Sequence, residues 1–86
     1  MNKISNQIKK IISQKMEIPI SKIHNDTHLS KDLNIDSLDM IEIIMTIEEK
    51  FNIEIPENIS DSFESINFIT KYVKNIINSS HDNLKN

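Results

Sequence analysis

Apolar residues return at helical spacing in three stretches of the chain. Ile4, Ile8, Ile11, Ile12 and Met16 stand three or four apart with lysines and polar residues between them, which predicts a first helix. The stretch DSLDMIEIIMTIEEKF, residues 36–51, predicts a second. Ile66, Ile69, Tyr72, Val73, Ile76 and Ile77 stripe a last helix beginning near Ser65. Between the second and last helices, NIEIPEN forms a turn, with a short third helix entered at Pro56. Residues 17–35 keep no period and read as a long loop, with at most one short turn, pinned by Ile20, Ile23, Leu29 and Leu33. So long a loop is uncommon in a small domain and is often functional. The expected fold is all-α: a small four-helix bundle, three main helices plus one short, with a long loop between the first two. The domain is expected to span 1–78, and the polar tail 79–86 to be disordered.

The second helix has an unusual cross-section. At 100° per residue, Asp39, Glu42, Thr46, Glu49 and Lys50 form a polar arc, and Met40, Ile43, Ile44, Ile47 and Phe51 the opposite face. Leu38, Ile41 and Met45 lie on the flank nearest Glu42 and Glu49, so the apolar arc exceeds half the circumference. A surface helix needs only about 100° of apolar arc. Either this helix is central and packed by all its neighbours, or Leu38 and Met45, framed by Asp39, Glu42 and Glu49, offer a small apolar contact ringed by charge. The second arrangement suits fast, weak, salt-sensitive association with basic partners.

Charge sharpens the picture. The net charge is −3, but residues 32–49 hold six acids (Asp32, Asp36, Asp39, Glu42, Glu48, Glu49) and no lysine. The remainder holds seven acids and all ten lysines, so a segment of about −6 faces a remainder of about +3. Such a patch repels nucleic acid and anionic lipid and attracts basic proteins.

Composition removes several classes of function. The 86 residues make one modest domain. With no glycine, P-loops, dinucleotide loops and nucleophile elbows are excluded. With no cysteine there is no disulfide, thiolate metal site or intrinsic thiol chemistry. No Trp, one Tyr and three Phe are poor material for stacking bases. The N-terminal MNKISNQIKK lacks an apolar signal core and no window reaches a membrane-span length. A complete, cytosolic, monomeric chain is expected, with no membrane insertion and no nucleic-acid partner.

Ser37 follows Asp36, which suits an N-cap, while Asp39 occupies the third helical position, where a carboxylate complements free N–H groups. A phosphate ester on Ser37 would sit beside the positive end of the helix. An unactivated serine hydroxyl is a poor nucleophile and no histidine lies close in sequence, so no catalytic residue is assigned. From the pattern alone, Ser37 is either a modified residue or one that only helps start a helix. Asp32-Leu33-Asn34-Ile35-Asp36 matches the opening of an EF-hand loop, but Ser37 replaces its glycine and Ile43 its bidentate Glu. His24 and His28 lack a third ligand, so no metal site is expected.

LNIDSLDMIEIIMTIEEKFNIEIPE, residues 33–57, resembles the central segment of type II acyl carrier proteins. The resemblance covers nearly the whole chain. D-S-L-D followed by E-x-x-M-x-x-E-E-x-F-x-x-x-I-P is specific at these intervals, and the last helix contains K-Y-V. It implies that Ser37 carries 4′-phosphopantetheine, donated by coenzyme A through a phosphopantetheinyl transferase, and that the arm's thiol holds acyl chains as thioesters during fatty-acid synthesis. It implies a carrier without catalysis of its own, serving malonyl transferase, ketosynthase, reductases, dehydratase and acyltransferases. It implies a docking face of Asp36, Leu38, Asp39, Glu42, Met45, Glu48 and Glu49, and an acyl pocket lined by Ile41, Ile47, Phe51, Ile55, Phe63 and Ile69. Asn34 stands where relatives have glycine, and asparagine tolerates the turn. Lys50 weakens the acidic patch at its far end, and Ile59 and Phe63 make the short helix oilier. Two alternatives remain: a carrier for a dedicated pathway (polyketide, specialised lipid or aminoacyl unit), and an unmodified acidic helical adaptor.

Overall fold

A computed structural model of the chain describes residues 2–60 and 63–85, with side chains from 3–59 and 63–78. Three long helices are present: α1 (Asn2–Met16), α3 (Ser37–Phe51) and α5 (Ile66–Lys85). Two short ones, α2 (Leu29–Leu33) and α4 (Glu57–Ser60), lie in the connections. A 3-10 turn at Ile20–Lys22 follows α1. The all-α bundle is as expected, and among the described residues no helix is long and apolar enough to cross a membrane.

The three apolar stripes meet in one core. Ile8, Ile11 and Ile12 of α1, Ile43, Ile44 and Ile47 of α3, and Ile66, Ile69 and Val73 of α5 are buried together. Burying such a side chain stabilises the fold by about 1.5–3 kcal/mol. α1 packs against both α3 and α5. Isoleucine supplies most of this core, with stiff side chains suited to a fixed packing.

The loop 17–35 holds more structure than its sequence predicts. α2 is five residues long, too short to show a period, and is defined by its ends instead. His28 Nδ1 accepts from the Lys31 N–H at 3.0 Å, while the His28 N–H donates to Asp32 Oδ2 at 2.8 Å. This reciprocal pair does the work of a capping box. Asn34 closes α2 in the left-handed region, φ 56° and ψ 35°. Ile23 and Leu29 are buried and Leu33 packs on the core, but Ile20 is 42% exposed and lies outside that core. The loop is tied to the head of α5 through Leu29 N–H to Glu64 O (2.8 Å) and Asn67 N–H to Asn25 O (2.9 Å).

Without glycine, the turns need another residue that accepts positive φ. Asn34 and Asn52 do so after α2 and α3, at φ 56° and 54°. Glu17 does so after α1 at φ 55°, an unfavourable choice for a side chain that cannot compensate locally. α4 begins after Pro56, whose carbonyl accepts from the Ile59 N–H at 3.0 Å. The backbone of α5 continues as helix to Lys85, into the polar segment expected to be disordered. No Gly or Pro follows Pro56 to stop it.

Candidate functional site

α3 starts at Ser37 because Asp36 caps it. Asp36 Oδ1 accepts from the Asp39 N–H at 2.8 Å, and its carbonyl accepts from the Met40 N–H at 2.9 Å. That leaves the Ser37 and Leu38 N–H groups at the helix end without intrahelical partners. Ser37 is exposed, and among the described residues its hydroxyl makes no hydrogen bond. A phosphodiester on Oγ therefore displaces no contact and meets two free donors beside the positive end of a 15-residue helix. The residues fit the prosthetic group the sequence implies.

Ser37 also lies on the wall of a cavity of about 490 Å³. One face of α3 supplies most of that wall: Ser37, Met40, Ile41, Ile44, Met45 and Glu48. These positions follow the steps that place residues on one side of a helix, and the wall runs about 16 Å from Ser37 to Glu48. Ile35, Asp36, Ile55, Glu57 and Phe63 complete it. The cavity is thus largely apolar and reaches the serine at one end of α3.

Of the six expected acyl-pocket residues, Ile41, Ile55 and Phe63 stand on the wall. Ile47 and Ile69 do not: they are fully buried in the core, and Phe51 packs against that core. These three pack in the core that α1, α3 and α5 share rather than on this wall. Sequence reasoning missed Ile35, Met40, Ile44 and Glu57 on the wall. The signal was present for α3: Met40 and Ile44 lie three and seven residues beyond Ser37, on the face directly below it.

The expected docking residues lie along the same helix, from its cap Asp36 to Glu49 near its far end. Leu38, Ile41 and Met45 are 71%, 55% and 56% exposed, so the wide apolar arc of α3 divides into a core face and an open one. Asp36, Glu42 and Glu49 are exposed and Asp39 is half-buried. Glu42 Oε1 lies 3.7 Å from Lys15 Nζ, an exposed pair of little consequence for stability. Glu48 differs from the rest. Its Oε2 accepts from the Ile55 N–H at 2.8 Å, and its carbonyl accepts from the Ile53 N–H at 3.0 Å. It fastens the chain after α3 against the helix.

Comparison with known proteins agrees with this geometry. The family model described as "Phosphopantetheine attachment site" matches residues 6–73. The chain is 42% identical over 77 residues to an acyl carrier protein of Buchnera aphidicola subsp. Baizongia pistaciae, covering 90% of this chain and 99% of that one. It is 47% identical to one from Buchnera aphidicola subsp. Acyrthosiphon pisum, covering 83% and 94%. It is 35% identical to one from Chlamydia caviae, covering 83% and 92%. Ser37, the α3 face and the cavity residues all fall inside the matched range. A capped helix, an unengaged serine at its head and a match over most of the chain lead to one conclusion: this protein belongs to the phosphopantetheine-attachment family of carriers, which are not catalysts.

Proposed function

We propose that the protein is an acyl carrier of fatty-acid synthesis, with 4′-phosphopantetheine joined to Ser37 Oγ. The observation that carries this is the placement of an exposed, unengaged Ser37 at the head of α3 and on the wall of the apolar cavity. When attached, the arm supplies the thiol that a cysteine-free chain lacks. The polypeptide's own part is to anchor it, to present an address and to shelter the cargo. Asp36, Ser37 N–H and Leu38 N–H form the anchor. Leu38 and Met45, with Asp39, Glu42 and Glu49 around them, form the address for basic faces of partner enzymes. Glu48 contributes charge there and holds the following turn. The cavity along α3 takes the acyl chain, so a loaded chain stabilises the fold.

The general partners are a phosphopantetheinyl transferase and enzymes of fatty-acid synthesis. The expected set within the latter is malonyl transferase, ketosynthase, reductases, dehydratase and acyltransferases, met in the cytoplasm by a monomeric carrier. Residues 1–78 suffice for this role, and deleting 79–86 should leave loading unchanged. The concentrated acid on α3 favours the fatty-acid type over an aminoacyl carrier. Reconstitution decides between pathways: the loaded protein is mixed with purified bacterial fatty-acid enzymes and malonyl donor. Elongation of a saturated chain is expected. Loading without any elongation, in a mixture active on another acyl carrier, points to a dedicated pathway.

A further inference from the structure

The cavity has one aromatic residue on its wall, Phe63, and that residue is not on a helix. It sits in the connector before α5, two positions ahead of Ser65, whose Oγ accepts from the Phe68 N–H at 3.2 Å. The backbone beside it is fixed by Leu29 N–H to Glu64 O and by the bridge between His28 and Ser65. Its side chain is fixed by two rings. Phe68 and Tyr72 both lie with centroids 5.7 Å from Phe63, at interplanar angles of 59° and 64°. Such tilted and edge-on contacts, within about 4.5–7 Å, are the favoured geometry for aromatic pairs. Phe68 and Tyr72 are one helical turn apart on α5, so they grip Phe63 from the same helix face.

Phe68 is 42% exposed while Phe63 is only 5% exposed. Phe68 is thus only partly buried, on the surface side of the ring it touches. Its clearest effect is on the buried ring that it touches. We propose that Phe63, held by Phe68 and Tyr72, is the wall that limits how long an acyl chain the cavity takes, and that Phe68 is its positioning residue. This rests on the cavity being the acyl site. A chain that grows along the α3 face meets a ring that two neighbours prevent from swinging aside. Chains beyond that limit leave their extra carbons in water and gain no further stability.

The test loads the holo-protein with saturated acyl chains in two-carbon steps and reads each melting temperature against the same variant's unloaded holo form. In the parent, the melting temperature should climb with length and then reach a plateau. Phe63→Ala and Phe68→Ala should each move that plateau to longer chains by at least one two-carbon step, and Phe68→Tyr, which keeps the ring, should leave it in place. Phe68→Leu serves in place of Phe68→Ala if the latter does not give a cooperative melt, and should move the plateau in the same direction. A parent-like plateau in the ring-removing variants overturns the proposal while leaving the cavity as the acyl site. A parent curve that never rises overturns both.

Discussion

At the scale of single residues, the chain's lack of glycine shows where conformation is most constrained. Asn34 takes a left-handed conformation two residues before the Asp36 cap of α3, so it sets the angle at which α3 is entered. Asn34→Ala should cost about 1 kcal/mol, the penalty of a Cβ in that region, and lower the melting temperature by roughly 4–8 °C. Asn34→Gly should not. An unchanged melting temperature for the alanine variant would mean the turn adopts another conformation in solution. Glu48 makes a second such case. Glu48→Ala leaves the N–H of buried Ile55 without its acceptor and should cost about 1–3 kcal/mol. Glu48→Gln keeps an acceptor oxygen and should recover most of it in thermal melts. Equal stability of the two variants would show that the hydrogen bond contributes nothing. The tolerance of asparagine at position 34 is visible in the sequence. The use of Glu48 is not, because a carboxylate seven residues from the N–H that it binds looks like any other surface acid.

At the scale of elements, the long helices were legible and the short ones were not. α1, α3 and α5 announce themselves through repeated isoleucine, because a stripe three turns long can bury only one way. α2 has no stripe; its existence depends on a histidine acting as cap and an asparagine acting as stop. The same limit applies to the cavity. Choosing pocket residues from the whole apolar arc of α3 mixes two faces, and the face that carries Ile43 and Ile47 belongs to the core. The other face, with Leu38 and Met45 beside Glu42 and Glu49, is exposed. Glu42→Lys and Glu49→Lys should slow loading and acyl transfer at low salt, with the difference shrinking as ionic strength rises. Their effect on stability should stay within about 0.5 kcal/mol, since both side chains are exposed. Transfer rates indistinguishable from the parent at low salt would place the docking surface elsewhere.

At the scale of the whole molecule, the bundle separates its tasks by face. The core of α1, α3 and α5 holds the fold, the open side of α3 is charged and partly apolar, and the cavity joins that side to the serine. No catalytic group is needed for this division to work: reactivity arrives with the arm, and specificity arrives with the enzymes that dock. Everything therefore depends on Ser37 Oγ accepting the arm. The most direct measurement is intact mass, followed by fragmentation, after incubation with coenzyme A and a broad-specificity phosphopantetheinyl transferase. The account predicts a single phosphopantetheinyl addition located on Ser37 and none in Ser37→Ala. An unmodified parent, or an equal addition to the alanine variant, would contradict it.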